Sequence, residues 1–206
     1  MEQSADKATT GQAPASETVA GGGLSGLEAL LKEQAGDKLP PVEKWAPPYC
    51  GDIGMRIRSD GVWFYQGSPI GRKPLVRLFS RVLRKDADGR HFLVTPVEKV
   101  DVTVDDAPFL AVEMEVSGSG SDQVLTFRTN VDDVVRCDAA HTIRFAVEAV
   151  SDGLKPYLLV RGRLEALLTR ALYYDLVERA VTEGTEFGVW SGGVFFAMEK
   201  ADVVGQ

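Results

Sequence analysis

The chain has 206 residues and a formal net charge of −7, with 44% hydrophobic and 26% charged residues. That composition is ordinary for a globular protein with a sizeable core, and the acidic balance speaks against a nucleic-acid partner, which would call for a concentrated Lys/Arg footprint. Two cysteines, Cys50 and Cys137, make no disulfide framework, and with the widely spaced His91 and His141 they match no structural zinc pattern.

Residues 1–23 are rich in Ser, Thr, Ala and Gly and nearly lack large apolar side chains. They bury too little to offset the entropy of ordering, so a disordered tail is expected. The tail has no apolar run of the kind a secretory leader carries, and no stretch approaches the roughly 20 apolar residues of a membrane span. The expected compartment is the cytoplasm, without a membrane partner. Residues 24–35 place Leu24, Leu27, Leu30 and Leu31 on one side, with Ser25 and Glu28 as a capping box and Gly36 as a stop, which predicts a short helix. Such a helix persists only when packed, either on the main body or on a protein partner. Residues 39–49 hold Pro40, Pro41, Pro47 and Pro48 and read as an extended strap anchored by Trp45 and Tyr49.

Ile53, Met55 and Ile57 alternate toward Asp60-Gly61, and Trp63, Phe64 and Tyr65 return, which predicts a hairpin. After a glycine-bearing turn, Pro74 opens a helix running to about Leu83, with Leu75, Leu78, Phe79, Val82 and Leu83 at helical spacing. Residues 92–94 and 99–104 read as strands, and Ala107-Pro108 breaks the pattern. Residues 109–116 and 124–129 are further strands, joined by the Gly/Ser-rich loop 117–122. In the second half Ile143, Phe145 and Val147 alternate, and residues 157–160 form a strand. Residues 164–181 read as the longest helix, on the stripe Leu164, Leu167, Leu168, Leu172, Leu176 and Ala180. Gly184 ends it, and residues 187–198 form a hairpin around Gly192-Gly193.

The order strand, turn, strand, glycine, helix, hairpin therefore occurs twice. Leu78, Phe79, Val82 and Leu83 align with Leu172, Tyr173, Leu176 and Val177 at a constant offset of 94 (172 minus 78, 177 minus 83). The expected fold is α+β, with two similar lobes from an internal duplication, each a small mostly antiparallel sheet with one main helix. The expected division is a tail over 1–23, helix and Pro-rich strap over 24–49, an N-terminal lobe over 50–129 and a C-terminal lobe over 130–206. Two lobes leave a cleft, where small-molecule sites often lie.

Five stretches carry a resemblance: Cys50-Gly51-Asp52-Ile53, Trp63-Phe64-Tyr65-Gln66-Gly67-Ser68-Pro69-Ile70, Leu93-Val94-Thr95-Pro96-Val97-Glu98-Lys99-Val100, Asp105-Asp106-Ala107-Pro108-Phe109, and Gly188-Val189-Trp190-Ser191-Gly192-Gly193-Val194-Phe195-Phe196. Together they resemble an uncharacterised bacterial family, number 1285 in the domain-of-unknown-function series, over about residues 40–198. The resemblance implies an α+β protein with repeated units and a role in ligand sensing or signalling. It supplies no catalytic residue. An acidic residue is common in that family after the isoleucine of the first stretch, where this chain has Gly54, so no carboxylate role carries over there.

Gly67, Ser68, Arg72 and Lys73 are expected to hold an anion, because a loop entering a helix presents free N–H groups and a positive dipole end. Glu98 and Lys99 either face the same cleft or cap a hairpin. Asp105 and Asp106 are adjacent, and adjacent strand residues point to opposite faces, which favours a polar turn over a carboxylate pair. Cys137 and His141 lie four apart outside a regular helix, a spacing that assures no nucleophile and base. Ser191 lacks the glycine two residues earlier that a nucleophile elbow requires, and reads as a hairpin turn. No catalytic residue, metal ligand or cofactor is expected. The expected function is a binding or regulatory module, of the kind used in signal transduction, for a small anionic molecule at or between the lobes, with a protein as a second partner. A small hydrolase or transferase with its site in the cleft, and a protein–protein interaction module, are the alternatives.

Overall fold

The computed structural model describes residues 38–148 and 153–200. The expected tail and first helix lie outside the described residues. Six strands form the first sheet: β1 (Tyr49–Ile57), β2 (Trp63–Tyr65), β3 (Ser68–Pro69), β4 (Leu83–Lys85), β5 (His91–Val94) and β6 (Lys99–Val104), in the order β3-β2-β1-β6-β5-β4. Its neighbours are antiparallel except for β1 and β6, which run parallel. Between β3 and β4 lies α1 (Lys73–Arg81), with Pro74 in its first turn. Leu75 and Phe79, one turn apart, are buried, and Phe79 stacks on Trp63 at 6.4 Å. Burying each such side chain contributes roughly 1.5–3 kcal/mol.

The second sheet contains β7 (Phe109–Ser117), β8 (Val124–Thr129), β9 (Val134–Arg136), β10 (Ile143–Val147), β11 (Leu154–Arg161) and β12 (Leu164–Leu168), in the order β10-β11-β12-β7-β8-β9. Here too one neighbouring pair, β12 with β7, is parallel. After β12 come α2 (Arg170–Val177) and a small antiparallel sheet of β13 (Val181–Glu183), β14 (Glu186–Ser191) and β15 (Val194–Lys200). One core cluster runs through all three sheets, from Met55 and Phe79 through Phe109 and Phe127 to Val189 and Met198.

The structure changes three expectations. Among the described residues the two lobes are mostly β, with two short helices as expected, and a third small sheet stands apart from both. The helix expected over residues 164–181 is three elements: β12, α2 and β13. Leu164, Ala166 and Leu168 are buried at alternate positions, and β12 is hydrogen-bonded on both sides, to β11 and β7. Two ladders outweigh the high helix propensity of Leu, Glu and Ala, which amounts to only a fraction of a kcal/mol per residue, roughly 0–0.7. The sheets also divide at residues 105–108 and not after 129, because β7 and β8 pair with β12 and β9 of the second sheet.

The strap is fixed by its carbonyls. Arg84 Nη1 donates to the carbonyls of Val42 and Trp45 at 2.9 and 2.8 Å, and Arg81 Nη2 donates to that of Lys38 at 2.7 Å. Trp45 is half-buried against the core, as an anchor should be, whereas Tyr49 is exposed. The strap lies across the seam between the lobes, where it helps enclose a cavity of about 190 Å³ with Arg81, Leu83, Arg161 and Leu164.

The two thiols differ sharply. Cys50 is exposed, while Cys137 is buried and its thiol is pushed up to about 12, chiefly by that burial. Only the thiolate is nucleophilic. A disulfide-exchange reagent at neutral pH is therefore expected to label one thiol in the folded chain and both after unfolding in denaturant. Rapid labelling of both in the folded state would contradict the burial of Cys137.

Candidate functional site

The face of the first sheet that points away from the core carries a cleft built around a distorted strand. The pairing of β1 with β6 slips twice, between Tyr49 and Asp52 and between Asp52 and Met55. Such bulges re-aim side chains. The backbone at Gly54 has φ +77°, and a Cβ there would come within 3.3 Å of the Gln66 backbone. The Gly54 N–H donates to Asp52 Oδ1 at 2.7 Å. A glycine is favoured at this position both by the positive φ and by the close approach of Gln66.

On this face Arg56 lies directly across from Phe64 on one side and Thr103 on the other. With Asp52, Gly54, Arg58 and Gly67 they line a cleft of about 430 Å³. A second hollow of about 320 Å³ shares Asp52 and Thr103 and continues to Arg90, His91 and Asp101. Arg56 Nε donates to Asp105 Oδ1 at 2.8 Å, and that bond raises the guanidinium pKa. Arg58 reaches Asp60 only at 3.5 Å and lies 5.6 Å from the Phe64 ring centre. In the second hollow Arg90 bonds Asp101 at 2.5 Å. The Tyr49 hydroxyl also donates to Asp101, which pushes the tyrosine pKa up. His91 Nε2 is buried and has no partner among the described residues. Burial, with help from Lys85 and against Glu165, pushes His91 down to about 4, so it is neutral at pH 7.

The residues expected to hold an anion are not brought together. Gln66 and Gly67 both have positive φ, +48° and +78°, and form the tight turn of the β2–β3 hairpin. Gly67 borders the larger cleft. Ser68 is spent on β3, which separates the turn from the helix. Arg72 and Lys73 open α1 and line neither hollow. Glu98 sits in the β5–β6 turn, where its N–H donates to Thr95 Oγ1 at 3.1 Å. Lys99 is held by Asp86 at 3.3 Å and lies 4.3 Å from the Phe92 ring centre. That places the Glu98-Lys99 pair in its hairpin.

Asp105 and Asp106 diverge as their adjacency demands. Asp105 meets Arg56, while Asp106 accepts from the Tyr157 hydroxyl at 2.6 Å and from Lys155 Nζ at 3.1 Å. His141 Nδ1 lies 3.5 Å from Asp138. The backbone carbonyl of Cys137 accepts from the Ser191 hydroxyl at 2.7 Å. Sequence reasoning missed Arg56, Arg58 and Phe64 as cleft residues. Their signal was the alternation of β1 and the β1–β2 register, which together put them on the face opposite Met55, Ile57 and Trp63.

Two family models match this chain. Residues 40–107 match "Domain of unknown function (DUF1285), N-terminal domain", and residues 108–198 match "Protein of unknown function (DUF1285), C-terminal domain". Their junction falls where the two large sheets divide. Among solved structures, the chain is similar to the crystal structure of a DUF1285 family protein from Silicibacter pomeroyi DSS-3, with 44% identity and a TM-score of 0.82 over 89% of this chain and 98% of that one. A DUF1285 family protein from Shewanella baltica OS155 is 29% identical with a TM-score of 0.49, over 62% of this chain and 92% of that one. No match was found among curated proteins.

Proposed function

The chain belongs to the DUF1285 family, and from that premise we propose that it is a ligand-binding module whose cleft on the outer face of the first sheet takes a small anionic molecule. One observation carries the reading: three of the stretches that bear the family resemblance converge on this cleft. The first contributes Asp52, the second Phe64 and Gly67, and the fourth contributes Asp105 through its bond to Arg56. Arg58 is the cation ready to change partner, since its contact with Asp60 is long and both side chains are about half exposed, 52% and 48%. Such a pair contributes little to stability. Phe64 offers a ring for the body of the ligand.

The two lobes are read as products of one duplication. The seven elements β1-β2-β3-α1-β4-β5-β6 recur in order as β10-β11-β12-α2-β13-β14-β15, with β7, β8 and β9 inserted between. The buried pair Leu75 and Phe79 corresponds to the buried pair Leu172 and Leu176 at an offset of 97 (172 minus 75, 176 minus 79), which replaces the offset of 94. In the first unit the first and last strands, β1 and β6, pair directly at the centre of the sheet. In the second, β10 and β15 remain neighbours but belong to different sheets.

Calorimetric titration with inorganic phosphate, citrate and glutamate tests the function. At least one is expected to bind. A hydrogen bond to a charged group contributes roughly 1.5–3 kcal/mol, so Arg58→Ala is expected to weaken that ligand about tenfold or more. Thermal stability should hold, because Arg58 is exposed. Equal affinities in wild type and variant, or no heat from any of the three anions, would reject the reading.

A further inference from the structure

A second hollow in the C-terminal lobe has a different chemistry. It holds about 500 Å³ between β11, β12 and α2. Leu154, Pro156, Leu167 and Leu168 give it an apolar floor. Pro156 and Leu168 are buried, while Leu154 and Leu167 are half-buried, so apolar surface is left open to the hollow. At the rim stand two aromatic rings, Tyr173 and Tyr174, with centres 5.9 Å apart and planes tilted by 46°. A hollow of this size with an apolar lining and a few polar groups is the ordinary form of a small-molecule site.

The charges at the rim decide the ligand class. Lys155 is spent: its Nζ lies 2.9 Å from Glu148 and 3.1 Å from Asp106. Arg170 is not. Its Nε and Nη2 bond the Tyr174 hydroxyl at 3.2 and 3.1 Å, and its Cζ lies 5.7 Å from that ring centre. Among the described residues Arg170 has no carboxylate partner. A tyrosine therefore holds a guanidinium in one place without neutralising it. A guanidinium binds a carboxylate through two parallel N–H donors, and the floor beneath asks for an apolar body.

We propose that this hollow binds a monocarboxylate with an aromatic or aliphatic body, the carboxylate on Arg170 and the body on the Leu154, Pro156, Leu167 and Leu168 floor. The site is separate from the cleft of the first sheet and does not depend on it. Both halves of the ligand are needed, because one cation at a partly exposed rim gives little alone and the floor alone selects no charge.

Phenylacetate is the probe, with acetate as the charge alone and 2-phenylethanol as the neutral body of similar shape. Titrations followed by the tyrosine ring protons in NMR, with calorimetry alongside, should show saturable binding of phenylacetate at millimolar concentration or below. Acetate and 2-phenylethanol should each bind at least tenfold more weakly. Arg170→Gln should weaken phenylacetate at least tenfold and bring it level with 2-phenylethanol, while Arg58→Ala leaves its affinity unchanged. Arg170 is exposed and makes no ion pair among the described residues, so the variant should melt at the wild-type temperature. Unchanged affinity in Arg170→Gln, parity of acetate with phenylacetate, or no saturable binding of phenylacetate would each overturn the proposal. A loss of phenylacetate binding in Arg58→Ala would overturn the independence of the two sites.

Discussion

Ser191→Ala is expected to cost about 3 kcal/mol of folding stability, because it strands two buried backbone groups at roughly 1–3 kcal/mol each. Ser191 is 0% exposed. Its Oγ accepts from the Leu125 N–H at 2.9 Å and donates to the Cys137 carbonyl at 2.7 Å. Those groups belong to the second sheet and its continuation, whereas Ser191 ends a strand of the small sheet. The hydroxyl is thus a clasp between sheets. Its neighbours reinforce it: Gln123 Nε2 donates to the Trp190 carbonyl at 2.8 Å, and the Gly192 N–H donates to the Gln123 carbonyl at 2.9 Å. A Cβ on Gly192 would lie 2.9 Å from Asp138 Cβ and 3.0 Å from the Cys137 carbonyl oxygen. The stretch Trp190-Ser191-Gly192-Gly193 is therefore explained by docking rather than by chemistry. For a chain of this length 3 kcal/mol corresponds to a fall of roughly 6–12 °C in melting temperature. Calorimetric melting checks it, and a fall under about 2 °C would show that the two groups find other partners.

The first lobe was legible where its contacts are local, and not in the distant parallel pairing of β1 with β6. Residues 53–57 alternate, Asp60-Gly61 turns, and residues 92–94 and 99–104 pair across a short loop, so pattern and pairing coincide. The second lobe was harder for two physical reasons. Leu164, Leu167 and Leu168 satisfy a helical spacing, while the true inward set of β12 includes Ala166, too small to register as a core signal. Residues 109–116 and 124–129 read as two strands joined by a loop, and they pair as β7 and β8, but nothing in their own residues says which sheet they join. That is settled by β12, more than thirty positions downstream, and the expected lobe boundary after residue 129 failed for that reason. The candidate cleft was half legible. The β2–β3 turn at Gly67 stood out as glycine punctuation, whereas Arg56 and Arg58 looked like the solvated positions of an alternating strand. The basic charge assigned to the cleft, on Arg72 and Lys73, lies beyond β3 at the start of α1.

The same limit hid the seam between the lobes. Arg161 is a residue at which the two lobes close on each other. Its Nη1 pairs with Asp133, in the turn between β8 and β9, and its Nη2 donates to the Ser80 carbonyl of α1 at 2.7 Å. The guanidinium also lies 5.0 Å from the Phe109 ring centre. The side chains of Arg161 and Asp133 are only 20% and 26% exposed, so solvent screens this pair less than a surface one. Removing one partner of a fully buried pair costs roughly 3–5 kcal/mol, because the other charge is left desolvated. The residual exposure here reduces that to about 2–3 kcal/mol. Arg161→Ala is thus expected to lower the denaturation midpoint markedly, and Arg161→Lys to recover only part, since an ammonium cannot bond a carboxylate and a carbonyl with one planar fork. Asp133→Asn tests the pairing directly. In a double-mutant cycle with Arg161→Ala the two losses should fall well short of additive. Simple additivity would mean that Arg161 acts through Ser80 and Phe109 alone, and a loss below about 1 kcal/mol in Arg161→Ala would remove it from the seam altogether.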